Sequence, residues 1–242
     1  MRKRLLFAVA LSVVLVSATI PASAGQLTLH PSGFGERSYA AWKAQSGLQD
    51  STGNKFQSLY FQKMTATTTF AAGVALFKGF EGTPVSALEG LSFYVGSQGH
   101  CGAGAPRFNL TVRPTGGGPT QTFFIGCQAM TPTGQTGTAP TGEIFVQRAI
   151  KAPFTAACCG PIPTSGFEIA SLAIVFDEGN DVGQGFVRLD NIEVDTVPGP
   201  GTHVWTSASD NGNGGTTTAN TTLTAGELEE ALGAPLITLL MP

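Results

Sequence analysis

Apolar and polar residues alternate with a period of two through much of the chain. In 108–113, Phe108, Leu110 and Val112 share one parity, and Asn109, Thr111 and Arg113 the other. Leu91, Phe93 and Val95 repeat the pattern in 88–95, as do Leu59 and Phe61 in 57–63. Successive side chains of an extended strand face opposite sides, so this period predicts half-buried β-strands. Further strand candidates are 74–80, 122–127, 143–150, 168–176 and 186–194, separated by Gly-, Pro- and Thr-rich breaks. The spacing predicts an all-β fold: an antiparallel two-sheet sandwich of the jelly-roll kind, with roughly eight to ten strands.

Where the alternation stops, other signals take over. The tracts 114–119 and 131–142 are Gly/Pro/Thr-rich and read as surface loops or hairpin tips. Tyr39 and Trp42 stand three apart in a segment that reads as helical, which would put them on one face. Beyond 195, the runs Val197-Pro198-Gly199-Pro200-Gly201 and Asp210-Asn211-Gly212-Asn213-Gly214-Gly215 read as a flexible tail. Thr224-Ala225-Gly226-Glu227 is a capping-box pattern ahead of Leu228 and Leu232, so it predicts a short helix that Pro235 ends. Leu236 to Met241 reads as an edge strand or a loose end. The expected organisation is a signal peptide at 1–24, a β-sandwich at 25–195 and a tail at 196–242.

Composition narrows the class. Only 12% of residues are charged while 42% are hydrophobic, which excludes a helical bundle with charged faces and a charge-driven disordered chain. Arg2, Lys3 and Arg4 precede an apolar run from Leu5 to Ile20 and then Ala22-Ser23-Ala24. That order predicts a secretory signal peptide cut before Gly25, with a run too short for a spanning helix. The expected location is therefore secreted, with no integral membrane segment in the mature chain. The formal net charge is −3, and removing three cations leaves the remainder more acidic. A mildly acidic chain without Lys/Arg clusters repels phosphate backbones, so nucleic acid is excluded as a partner.

Four cysteines, Cys101, Cys127, Cys158 and Cys159, fit an oxidising compartment. A ring between the neighbours Cys158 and Cys159 is strained, so Cys101 with Cys127 is the simplest first bridge; the pairing of the other two stays open. The alternative is a metal site of His100 with these cysteines, although no C-x₂₋₄-C pair is present. Arg107, after the Gly102/Gly104 turn, is expected to grip a carboxylate, most simply one within the fold.

The segment Val187-Arg188-Leu189-Asp190-Asn191-Ile192-Glu193-Val194 carries a parity switch. Val187 and Leu189 share one parity, Ile192 and Val194 the other, so a bulge at Asp190-Asn191 is needed to turn all four to one core. A closing strand reading V-x-L-D-N-I-x-V after the acidic loop Asp177-Glu178-Gly179-Asn180-Asp181 resembles that of secreted bacterial jelly-roll domains. These are the galactose-binding-like folds that include many carbohydrate-binding modules. The resemblance implies a structural calcium as the one cofactor, with Asp190 matching the family's closing-strand ligand and Asp177, Glu178 and Asp181 as nearby oxygen donors. The alternative is that Asp190 bonds backbone amides with no ion.

No G-x-S-x-G elbow, H-E-x-x-H or phosphate-binding Gly-Lys motif is present, and no catalytic residue is assigned. Sugar-binding sites use aromatic faces, and Tyr39, Trp42 and Tyr94 are the candidates, with Tyr60 and Trp205 behind them. The leading expectation is a non-catalytic β-sandwich that binds carbohydrate or another cell-envelope ligand. The alternatives are a structural or adhesive extracellular protein, or a hydrolase on a concanavalin-like sandwich using a pair such as Glu143 and Glu168. Two N-x-T sequons, at Asn109 and Asn220, complete the inventory.

Overall fold

The computed structural model describes residues 27–50, 55–154, 160–197, 201–208 and 224–232. The proposed signal peptide, Cys158, Cys159, the 210–215 loop, Asn220 and the segment 236–241 lie outside the described residues. Within them the chain is the antiparallel two-sheet β-sandwich that the alternation predicts. The smaller sheet is built from β1 (Thr28–Phe34), β4 (Ala72–Lys78), β6 (Arg107–Pro114), β7 (Gln121–Gly126) and β10 (Phe167–Phe176), in the order β1-β4-β10-β6-β7. The larger contains β2 (Ser38–Lys43), β3 (Ser58–Lys63), β5 (Leu88–Gly96), β8 (Thr131–Thr138), β9 (Ile144–Lys151), β11 (Phe186–Thr196) and β12 (His203–Trp205). Its order is β2-β3-β11-β5-β9-β8, with β12 paired onto β11.

The core forms where the inward parities of the two sheets meet. Leu59, Phe61, Leu91, Phe93, Val187 and Leu189 from the larger sheet join Phe77, Phe108, Leu110, Leu172 and Ile174 from the smaller. Phe77 and Trp205 lie 5.1 Å apart, and Phe93 and Phe108 5.5 Å apart, as ring centroids. Each such fully buried side chain contributes about 1.5–3 kcal/mol of transfer free energy. Trp205 is thus core, not a surface platform.

β4 and β10 are apolar at nearly every position because both of their faces are covered. Ala75, Phe77, Leu172 and Ile174 face the main core. On the other side, Leu228 and Ala231 of α1 (Ala225–Leu232) pack on Ala72, Val74, Leu76, Ala173 and Val175. The capping box forms as expected: Thr224 N donates to Glu227 Oε2 at 2.9 Å, and Glu227 N donates to Thr224 Oγ1 at 3.3 Å. Asn109 is buried beneath this helix and donates its amide to Ala231 O at 3.0 Å, so that sequon is not an exposed one.

Three expectations change. The sandwich does not end at 195, because β11 runs to Thr196 and β12 returns to its side. The 131–142 tract is not all loop, since β8 occupies Thr131–Thr138 as an exposed edge strand, where Pro132 and the glycines are tolerated. Tyr39 and Trp42 lie on a strand, so three residues of separation put them on opposite faces. Trp42 packs toward the core and Tyr39 faces outward. The 114–119 tract is a hairpin tip between β6 and β7, with Gly116, Gly117 and Gly118 all at positive φ.

Cys101 and Cys127 form a disulfide, with Cα atoms 5.4 Å apart. It joins the loop that follows β5 of the larger sheet to the end of β7 of the smaller. With both sulfurs in this bond, Cys101 and Cys127 are removed from the proposed His100–cysteine metal site; its other two cysteines lie outside the described residues.

Candidate functional site

The site begins at the irregularity in β11. Leu189 and Ile192 both sit in the core, although the two residues between them would place them on opposite faces of a regular strand. The ladder to β5 slips between Asp190 and Glu193, and Asn191 takes a positive φ of 41°. Asn tolerates this left-handed conformation better than most residues. The bulge expected from the parity switch is present.

Asp190 is fully buried on the outer side of the larger sheet. Its Oδ2 accepts a hydrogen bond from Leu48 N at 2.6 Å, and its Oδ1 one from Asn191 N at 2.7 Å. It therefore pins the loop that follows β2 across the sheet face. Gly47 is required there, because a Cβ would collide with Gln57 O and Asp190 Oδ2. Leu48 then packs with Phe145 and Ala139, against which Tyr94 leans.

Beside this loop lies a cleft of about 530 Å³. The loop supplies Gln49 and Asp50; β5 supplies Tyr94, β9 Gln147, and the bulge and its continuation Asn191 and Glu193. Val204 and Thr206, in and just after β12, form the opposite wall. Register explains the grouping, since Tyr94 pairs with Asp190 on one side and Gln147 on the other. Among the described residues the lining joins one phenol ring to two carboxylates, amides and a hydroxyl, with no Lys or Arg. Asn191 Oδ1 is buried and accepts no hydrogen bond among the described residues. Burial raises the Glu193 carboxyl above the usual range, and Asp195 adds to this, while Lys151 opposes it.

Farther along the same face, Tyr39, Tyr60 and Phe186 form a run of rings, with centroids 5.9 and 5.8 Å apart. Lys43 lies 3.5 Å above the Tyr60 ring and donates to Tyr39 Oη at 2.9 Å. Arg188 donates to Glu143 Oε2 at 2.9 Å. These cations are already engaged. Of the predicted platform residues, only Tyr94 lines the cleft.

The carboxylates proposed for calcium do not converge. Asp177 pairs bidentately with Arg107 at 2.6 and 2.7 Å, the internal partner expected for that arginine. Glu178 Oε2 lies 2.7 Å from His100 Nε2, and Asp181 accepts from Thr67 N at 2.6 Å and from Thr67 Oγ1. Asp190 lies elsewhere, under the 44–50 loop. Beside Arg107, the acidic loop meets the Lys63 ammonium, which donates to Thr67 O, Thr69 O and Asp177 O at 2.6–2.8 Å. Burial lowers its pKa, and Asp177, Asp181 and Glu178 act against that. Among the described residues no three His, Cys, Asp or Glu side chains group as metal ligands would. A second cavity, of about 630 Å³, opens here between Phe34, Phe124 and Leu232 and the Arg107–Asp177 pair.

Glu143 and Glu168 cannot act as a hydrolytic pair. Glu143 is buried against Arg188 on the larger sheet, whereas Glu168 belongs to β10 of the smaller sheet and pairs with Arg113 at 2.7 Å. Each carboxylate is thus already neutralised by an arginine of its own sheet.

Sequence reasoning missed Gln49, Asp50, Gln147, Asn191 as a lining residue, Glu193 and the β12 wall. Glu193 had a usable signal, the polar parity of the closing strand past its bulge. The loop residues had none, because their place depends on a contact 142 residues away. Comparison with family models, with curated proteins and with solved structures finds no match in any of the three. What stands of the resemblance is the architecture, an antiparallel sandwich consistent with a jelly-roll-like fold. Among the described residues no helix is long and apolar enough to cross a membrane.

Proposed function

We propose that the protein is a non-catalytic, secreted glycan-binding domain whose ligand lies in the cleft on the outer face of the larger sheet. The observation that carries this reading is the lining itself. One tyrosine ring stands among hydrogen-bonding side chains drawn from the loop, β5, β9, β11 and the β12 wall. A pyranose has an apolar CH face and a rim of hydroxyls, so it needs one ring to cover and several fixed acceptors and donors. Gln147 is held in place for this: its Oε1 accepts from Thr133 Oγ1 at 2.8 Å, and its amide nitrogen donates a long bond to Ser92 Oγ at 3.5 Å, which leaves a second N–H to offer. Export is supported by the basic-then-apolar start of the chain and by the disulfide.

Titration with soluble oligosaccharides by calorimetry tests the reading. Gln147→Ala and Tyr94→Ala should each weaken binding about tenfold, the equivalent of one good ring or hydrogen-bond contact. Tyr94 also supports Leu48, so its variant requires a melting control, whereas Gln147 does not pack in that cluster. Absence of saturable binding to any oligosaccharide, or unchanged affinity in both variants, sinks the assignment. A structural or adhesive role is the second reading, favoured by the long exposed edge of β8. Retention on the cell envelope that no added sugar displaces would support it.

A further inference from the structure

The cleft's charge has a consequence for its ligand, one that rests on the glycan reading above. We infer that the site selects saccharides carrying a free amine, such as glucosamine oligomers, over uncharged and acidic ones, with Glu193 receiving the ammonium. Among the described residues two carboxylates line the cleft and no Lys or Arg does. Asp50 already accepts Gln57 N through Oδ1 at 2.9 Å, whereas no hydrogen bond or close ion pair among the described residues engages Glu193. Of the cations near this face, Lys43 and Arg188 are held by Tyr39, Tyr60 and Glu143, and Lys151 acts on Glu193 without a hydrogen bond among the described residues.

Glu193 therefore carries its charge partly out of water, beside Asp195 and with only Lys151 to oppose it. Its carboxyl pKa is raised first by burial and then by Asp195, with Lys151 acting against both. An ammonium placed there relieves that repulsion and makes a charge-assisted hydrogen bond. A uronate would bring a third carboxylate into the cleft, and like charges at close range suppress binding. An N-acetyl group removes the charge and leaves only neutral contacts. Tyr94 and Gln147 serve all three ligand types equally, so the discrimination falls on the acidic pair.

Calorimetry of the protein with glucosamine, N-acetylglucosamine and galacturonate oligomers of matched length, in mildly acidic low-salt buffer, decides the matter. Glucosamine oligomers should bind at least about tenfold more tightly than either of the others, the worth of one charge-assisted bond. Glu193→Gln should bring their affinity down to that of the N-acetylated series, and Glu193→Lys should turn the preference toward galacturonate. Unchanged melting temperatures of both variants show that the site, not the fold, has changed. Equal or tighter binding of the N-acetylated or acidic oligomers overturns the selectivity and leaves the glycan reading intact. Binding of none of the three overturns the selectivity, and a panel of neutral oligosaccharides titrated alongside then decides the glycan reading separately.

Discussion

At the scale of single residues, Asp190 has the clearest assignment. Its carboxylate is fully buried, and two of its lone pairs meet backbone N–H groups that the bulge and the crossing loop leave pointing at it. Asp190→Asn keeps the volume but sets an NH₂ against one of those donors. The variant should lose about 1–3 kcal/mol of stability, as for a charge-assisted bond broken in a buried site. Because the carboxylate is filled by amides, a chelator should leave the melting of the wild type unchanged. A chelator-dependent drop that the variant lacks would restore the calcium implied by the resemblance. Lys63 follows the same logic with the signs reversed: its three donors match three carbonyls, which explains how a lysine can be 1% exposed.

At the scale of elements, how much could be read from the sequence depended on whether local pattern or distant contact decided the outcome. The strands with clean alternation, such as Phe108 to Val112 and Leu91 to Val95, formed close to where the pattern put them. The bulge in β11 was legible because it changed a parity. β2 was misread as helical because a spacing of three suits one face of a helix, and only its pairing with β3 makes it a strand. β12 is three residues long, too short to show any period, and exists because β11 offers it an edge. The cleft inherits this division: Tyr94 was visible, while its loop and β12 walls were not. The sequence marks 74–80 and 168–176 only as strands and the terminal helix only as part of a tail, whereas in the fold α1 covers the outer face of β4 and β10. Leu228→Lys should therefore cost about 2–4 kcal/mol by burying an ammonium against Val74, Leu76 and Val175. A variant melting within a degree or two of the wild type would show that α1 is dispensable to the sandwich.

At the scale of the whole molecule, the two sheets share one core, and the Cys101–Cys127 bond ties them together at one end. The bond spans 26 residues of sequence, so loop-closure entropy alone gives it about 3.5 kcal/mol. The cleft is held instead by Asp190, Leu48 and Phe145 on the outer face of the larger sheet, none of which touches the bridge. Stability and binding should then separate. The double variant Cys101→Ser/Cys127→Ser should melt roughly 7–14 °C lower, the shift that about 3.5 kcal/mol produces in a domain of this size. Below both melting points it should bind the same oligosaccharides with unchanged affinity, because the groups lining the cleft keep their supports. Loss of affinity in a variant whose circular dichroism still reports a folded sandwich would show that the bridge shapes the cleft from across the core. The separation of scaffold from site would then be wrong, and the outer face would have to be read as one cooperative unit with the end of β7.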